Sequence, residues 1–493
     1  MLKQKFILHF SAGILGQLIT AATGIVVARI AGPEIIGTVA YGAAYVSIFG
    51  FGLGLFGSSH MKLVSEGQHH GNCVKTFTVL QTFNILLFVL IFTGWFLFQI
   101  FIADHSFQKE QLWVIVIYFV FFVVSQFLNM WQINFSATIE IAKNSIPLLL
   151  QNIVYNSTRI IVVLIGLGAI ALTASNLTGL LVSVPITLYY IRKLPAGRFD
   201  FSLMRKYLSI SFVFLIIVVC GTLITNLGRL ALERYESVRE IGIFTAGNSI
   251  ASMLLLISTT TGTIFFPLLS KLVSENNYEK INHQIEIFER IILIFLAPAV
   301  FVVAIFSTPL IIFLLGRQYE LSGIVLNILI ITSLIQIVTL PYGNLIAGKG
   351  LFKILALISF CQLILFLASL LLFLDHRFLG IGAVGLAWAT GISNLFQAIC
   401  FVVISVKKGS ITAPKINYKY YMSSTLLLLV LLSIIHFDYF ANRLYLSIII
   451  VFLIISSYYG VLYYLKWIKR DDLNIILDFI NPGKLIKYIK SDL

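Results

Sequence analysis

The chain has 493 residues, 59% of them hydrophobic and only 11% charged, with a net charge of +14. An average soluble domain carries about 25% charged residues, so a soluble enzyme of this length is excluded: it could not cover its surface. The positive balance does not indicate nucleic acid either, because the charges fall in short connections between apolar runs and read as membrane topology.

A hydrocarbon core about 30 Å thick needs roughly 20 apolar residues in a helix. Fourteen segments qualify: 6–28, 37–61, 76–103, 111–131, 146–166, 171–191, 207–228, 241–269, 291–315, 322–346, 351–374, 379–405, 420–437 and 442–465. The sequence thus predicts an all-α integral membrane protein of about fourteen transmembrane helices. Lys3 and Lys5 precede an apolar run too long for a signal-peptide core, so the first segment reads as an uncleaved helix. Trp113 and Trp131 bracket the fourth segment, and Tyr463, Tyr464 and Trp467 close the last, as an interfacial aromatic belt requires. With the amino terminus inside, the inner connections hold 25 of the 34 basic residues and the outer ones eight, with Arg159 left inside a span. That split places both termini in the cytoplasm.

The connections are short. Around Lys280, the spacing of Ile281, Ile285, Phe288 and Ile292, with Glu279, Glu286 and Glu289 interspersed, predicts an amphipathic helix on the inner surface. His60, near the inner end of the second span, reads as an interfacial side chain. The tail piece Leu485–Lys490 either lies on the inner surface or is simply solvated. The four cysteines, Cys73, Cys220, Cys361 and Cys400, have neither zinc nor disulfide spacing and read as small apolar fillers.

The second and eighth spans repeat one another. Gly37, Gly42 and Ser47 recur as Gly242, Gly247 and Ser252 at a constant offset of 205, and Lys62-Leu63-Val64-Ser65-Glu66 recurs as Lys271-Leu272-Val273-Ser274-Glu275 at an offset of 209. Glu34 and Glu240 stand near the start of the corresponding helices. Spans six apart run in the same direction. The repeat therefore predicts two parallel six-helix lobes, 1–195 and 205–405, related by a pseudo-two-fold axis along the membrane normal, with an extra helix pair at 420–465 and a cytoplasmic tail at 466–493. Secondary transporters commonly use this plan, with the substrate path between the halves.

Some chemistry is missing. There is no phosphate loop of the G-x-x-x-x-G-K-[ST] type and no segment large enough for a nucleotide-binding domain. Gly380-Ile381-Gly382-Ala383-Val384-Gly385 matches G-x-G-x-x-G in form, but without the strand–turn–helix context it reads as close helix packing and a tight loop. His69-His70 has no metal-ligand partner, so no cofactor and no metal are expected. Nor do the connections carry the acidic residues of a membrane enzyme, and the chain is read as a non-enzyme.

Charges and amides inside lipid-buried helices are costly and tend to be functional. Arg159 stands near the middle of the fifth span, with Asn152 and Asn156 on the same face at steps of three and four. Its guanidinium faces a wet cavity or an anion, or else is paired structurally or reaches the interface. Arg29 and Arg229 end the first and seventh spans at equivalent positions of the repeat, and Gln17 and Asn226 lie in the same two helices. Cations lining a path favour an anionic substrate, and the arginine fork suits phosphate.

Four segments together resemble the polysaccharide-biosynthesis flippases of the multidrug/oligosaccharidyl-lipid/polysaccharide exporter superfamily: Ala28-Arg29-Ile30-Ala31-Gly32-Pro33-Glu34, Ile241–Gly247, Phe266-Pro267-Leu268-Leu269-Ser270-Lys271-Leu272, and Gly380–Ala387, in that order. The resemblance covers roughly residues 1–405. It implies translocation of undecaprenyl-pyrophosphate-linked oligosaccharide repeat units from the inner to the outer leaflet, for O-antigen, capsule or exopolysaccharide assembly, by alternating access. It implies the lipid bilayer, a coupling ion (H⁺ or Na⁺) and polysaccharide polymerase machinery as partners, and no nucleic acid. Family members often carry an Asp before the basic residue ending span seven; here that position is Gly228. Three other readings compete: a drug/cation antiporter of the same superfamily, a membrane enzyme of polysaccharide assembly, and a non-transporting scaffold. The first would prefer a buried carboxylate in the amino-terminal half, whereas Glu34 and Glu140 sit at connections.

Overall fold

The structure is a computed structural model and describes residues 2–66, 68–102, 107–138, 141–192, 195–409, 411–412, 417–435 and 444–467. The surface piece at Leu485–Lys490 and all but the first two residues of the expected tail lie outside the described residues. Among the described residues the secondary structure is entirely helical. The helices are α1 (Leu2–Ser47), α2 (Leu55–Ser65), α3 (His70–Phe101), α4 (Lys109–Ala137), α5 (Ile141–Leu164), α6 (Ala169–Ile191), α7 (Phe201–Tyr235) and α8 (Val238–Ser274), then α9 (Tyr278–Ile291), α10 (Ala297–Ile305), α11 (Ser307–Leu315), α12 (Glu320–Gly348), α13 (Phe352–Leu374), α14 (Gly382–Gly409), α15 (Tyr418–Ile435) and α16 (Leu444–Tyr464).

By length and composition, ten helices among the described residues can cross a membrane. The sequence count of fourteen exceeds this by four: its first two spans run together as α1, and its eighth, thirteenth and fourteenth fall on α8, α15 and α16. Within α1 the two spans meet at a kink rather than in one unbroken helix, and the kink has a local cause. Pro33 lacks the N–H that would bond to the Arg29 carbonyl, and Gly32 leaves the helical region at φ 80°, ψ 167°. The freed carbonyls are satisfied from a 3₁₀ turn at Arg317–Tyr319: Gln318 Nε2 donates to Arg29 O at 3.1 Å and Tyr319 OH to Ala28 O at 3.0 Å. The bend therefore costs few hydrogen bonds, which a lipid-facing backbone could not afford.

Contacts divide the chain into two compact units. The first is Met1–Ala246, Leu314–Tyr319 and Ala356–Ala389; the second is Gly247–Phe313, Glu320–Leu355 and Thr390–Leu493. Within the first unit, the repeated glycines meet. A Cβ on Gly37 would lie 1.8 Å from the Val238 carbonyl oxygen, and one on Gly242 would lie 1.9 Å from the Pro33 carbonyl oxygen. Each glycine thus faces the residue four before its counterpart, a reciprocal backbone contact that only glycine permits. The next repeated pair behaves alike: Gly42 packs on Val114 and, in the second unit, Gly247 packs on Val325. The Lys-Leu-Val-Ser-Glu copies form the same i,i+4 ion pair, Lys62–Glu66 at 3.8 Å and Lys271–Glu275 at 3.9 Å.

Carboxylates cap helix starts where neighbouring helices supply them. Glu240 Oε2 accepts from the Ala383 N–H at 2.8 Å, where Gly382 (φ 55°) opens α14, and Glu110 Oε1 accepts from the Ala169 N–H at 3.1 Å at the start of α6. The glycine-rich stretch at 380–385 is thus a tight loop into a capped helix. Gly385 packs on the Phe373 carbonyl, where a Cβ would come within 2.8 Å.

Asp200 caps α7, accepting from Ser202 N at 2.7 Å and Leu203 N at 3.4 Å. The Ser202 hydroxyl and N–H hold its carboxyl below the usual range. A lowered folded-state value means the cap contributes above the ordinary aspartate range and is lost as pH falls through the lowered value. Asp200→Ala is expected to speed amide exchange in the first turn of α7 at neutral pH and to abolish its acid dependence, which hydrogen-exchange mass spectrometry would read.

Two expectations change. His60 is not interfacial: it is fully buried, stacked on Phe77 at 4.3 Å, with Nδ1 2.7 Å from the Tyr207 hydroxyl. A small aromatic core of Phe56, Phe77 and Tyr207 encloses it, and these partners come from three helices. The helix around Lys280 exists as α9, but Glu289 is not on its polar face. It is fully buried in line with Ile281 and Ile285.

Candidate functional site

All seven residues singled out from sequence lie in the first unit. Three stand on α5. Asn156 is 1% exposed; its Nδ2 donates to the Asn152 carbonyl at 2.7 Å and to Thr20 Oγ1 of α1 at 3.1 Å. Asn152 Nδ2 lies against Gly16, where a Cβ would be 3.2 Å away. The two asparagines therefore knit α5 to α1 rather than standing free. Asn156 Oδ1 is buried with no hydrogen-bond partner among the described residues, so one acceptor remains there for a ligand or water.

Arg159 is half-buried, one turn beyond Asn156, with its guanidinium 5.0 Å from the centroid of the Tyr155 ring. This is cation–π distance. No carboxylate pairs with it among the described residues. Arg229, on α7, is also half-buried. Its Nε is buried without a hydrogen-bond partner among the described residues. Tyr118 of α4 lies within electrostatic reach of both Tyr155 and Arg229. Arg159 on α5 and Arg229 on α7 are thus two cations within apolar helices, and neither is paired with an acid among the described residues. Such an arrangement is complementary to an anion.

The other three residues are placed differently. Arg29 is exposed, and it is its carbonyl that the kink uses. Gln17 is exposed on α1, and Asn226 donates to the Thr222 carbonyl of its own helix at 3.0 Å. At the repeat offset of 205 Arg29 falls on Arg234 rather than on Arg229, and Arg29 and Arg229 also differ in burial. At Gly228 a Cβ would lie 2.3 Å from Leu386 Cδ1, so a side chain there requires that leucine to move.

Tyr118 was not distinguishable in sequence from the surrounding run of Phe119, Phe121 and Phe122. Glu289 had a readable signal: it continues the Ile281, Ile285 stripe at a step of four.

In the second unit an apolar cavity of about 460 Å³ is lined by, among others, Leu293, Phe301, Leu334, Val338, Tyr421 and Leu428. Its walls come from α10, α12 and α15 and from the π turn Ile292–Leu296.

The described residues thus form a kinked, repeat-built helical membrane chain with two cations in apolar helices of one unit and an apolar cavity in the other. Solved structures share its fold. The lipid II flippase MurJ in an inward closed conformation matches 93% of this chain and 99% of that one, with TM-score 0.69 and 16% identity. An inward-facing multidrug resistance MATE family transporter of the MOP superfamily matches 82% and 98%, with TM-score 0.64 and 13% identity. A MOP superfamily transporter from Pyrococcus furiosus, described as having a binding pocket of reverse polarity, matches 83% and 94%, with TM-score 0.56 and 14% identity. No curated protein sequence matches. The family model described as polysaccharide biosynthesis protein matches residues 26–323, more than half of the chain. The chain belongs to the polysaccharide biosynthesis protein family and has the MurJ/MATE fold.

Proposed function

We propose that the chain is a flippase that moves undecaprenyl-pyrophosphate-linked oligosaccharide repeat units from the inner to the outer leaflet of a bacterial cytoplasmic membrane, by rocking of the lobes 1–195 and 205–405. The observation that carries this reading is the pair of arginines within apolar helices, Arg159 beside Tyr155 and Arg229, neither paired with an acid among the described residues. A pyrophosphate needs such donors, whereas a cationic drug would be repelled by them. The apolar cavity of the second unit supports the same reading, since a polyprenyl tail needs a dry wall. Energy then comes from an ion gradient or the membrane potential, which no residue of the site specifies.

Deleting the gene in its host and analysing polyprenyl-linked sugars by mass spectrometry tests this. Complete single repeat units should accumulate while the surface polymer disappears, both reversed by the wild-type copy. Accumulation of a truncated sugar would instead assign an enzymatic step. Sensitivity to cationic dyes without any lipid-linked intermediate would assign drug export.

A further inference from the structure

We propose that Glu289 is a protonation site that sets how firmly the start of α15 is held, and through it the wall of the apolar cavity. Only the consequence for transport rests on the flippase reading; the site itself does not.

Glu289 is fully buried at the end of α9 and belongs to the second unit. Its Oε1 accepts from the hydroxyls of Tyr342 on α12 and Tyr421 on α15, and its Oε2 accepts from Asn417 Nδ2 at 2.8 Å. Three donors from three segments therefore converge on one carboxylate. The charged and titratable groups around it are Glu286 and Arg290 on its own helix, Tyr342 and Tyr421. Arg290 is committed to Glu286 at 3.1 Å. Among the described residues Glu289 forms no ion pair, so the cluster holds one more acid than base. A buried charge without a counter-ion is costly, and a proton removes that cost.

The fold does not require this charge. Cys73, Phe77 and Gln81 of α3 match Ile281, Ile285 and Glu289 of α9 at a constant offset of 208, and all six are buried. In the first repeat the position is a neutral amide, whose Nε2 donates to the Leu53 carbonyl at 2.7 Å. An amide fills the place, so the carboxylate in the second repeat adds something beyond packing.

Asn417 supplies the two states. Its Nδ2 faces two acceptors, Glu289 Oε2 and the Glu286 carbonyl at 3.0 Å, which fixes that end as the NH₂ group. Its Oδ1 is buried with no partner among the described residues. When Glu289 takes a proton, the new O–H needs an acceptor, and reversal of the Asn417 amide offers Oδ1. The reversed amide then sets Oδ1 away from any donor at the Glu286 carbonyl, so Asn417 loses its bond to that carbonyl and its charge-assisted bond to Glu289, and keeps only the neutral O–H···Oδ1 bond to α9. Asn417 opens α15, accepting from the N–H groups of Tyr420 and Tyr421. Tyr421 both binds Glu289 and lines the cavity. Protonation thus loosens the first turns of α15 and with them one wall. The π turn that begins three residues after Glu289 gives α9 local slack.

Hydrogen-exchange mass spectrometry of the purified full chain in detergent, following residues 417–428 across pH and corrected for intrinsic exchange, tests this. Wild type should exchange about tenfold faster in its acid limit than at alkaline pH, the loss of one hydrogen bond to a charged group. Glu289→Gln should exchange at the fast limit at every pH. Tyr421→Phe, which removes one donor and keeps the ring, should move the wild-type midpoint to higher pH. A flat wild-type profile, or a pH dependence that persists in Glu289→Gln, overturns the proposal. If Glu289→Gln does not fold, an unmoved midpoint in Tyr421→Phe overturns it instead. No cargo is present, so failure of the flippase reading would leave these results unchanged.

Discussion

Gly37→Val is expected to abolish folded protein: no monodisperse peak on size exclusion and no complementation of a deletion strain. Even a single Cβ at Gly37 would sit 1.8 Å from the Val238 carbonyl oxygen, far inside contact distance, and the obstacle is backbone, which cannot rotate aside. The helices α1 and α8 would have to separate, breaking the packing on both sides of the contact. A cost of about 4 kcal/mol or more follows, in the range of severe overpacking. Gly242→Val should behave identically, because its own obstacle is the Pro33 carbonyl oxygen at 1.9 Å. Gly94→Ala is the control. Nothing lies within 4 Å of a Cβ there, and removing a mid-helix glycine should stabilise by about 0.5–1 kcal/mol. Thermal unfolding in detergent would order the three variants. A stable, wild-type-like Gly37→Val would show that the reciprocal contact does not hold the helices together.

Arg159→Ala is expected to reduce translocation at least tenfold in protein that still folds, equivalent to about 1.4 kcal/mol or more of lost interaction with the cargo. The stability change should be small, since the guanidinium makes no ion pair among the described residues and only stacks on Tyr155. Arg159→Lys should recover little: a lysine keeps the charge but loses the planar fork and its stacking. Arg229→Ala should act in the same direction. Tyr118→Phe, which removes the phenol near Arg229, should weaken transport without unfolding the chain. Surface polysaccharide and lipid-linked intermediates, measured beside membrane-inserted protein level, separate these effects. Wild-type flux in a stably expressed Arg159→Ala protein would remove this arginine from the cargo path.

Much of the architecture was written in the sequence because it depends on local rules. Apolar length gives the spans, and the Gly32-Pro33 pair gives the bend in α1. The glycines at 37 and 242 are visible because backbone approach forbids a side chain at each one. Gly228 is different: its close neighbour is the Leu386 side chain, more than 150 residues along the chain, which no local rule brings there. The site was less legible for that reason. Arg159 announced itself by being charged among apolar residues. Tyr118 did not, since its hydroxyl matters only once Tyr155 and Arg229 are beside it. Glu289 was read as solvent-facing because acids on an amphipathic helix usually are. Its burial is decided by Tyr342, Tyr421 and Asn417, none of which is local. His60 erred the same way, its fate fixed by Tyr207.

The contact between Gly37 and Gly242 carries a meaning of its own. Each residue touches the position four before its counterpart, as two copies of one surface do when they meet across a dyad. A change at either glycine is therefore felt by both copies of the repeat, whereas Gln81 and Glu289 face different neighbours and are free to differ.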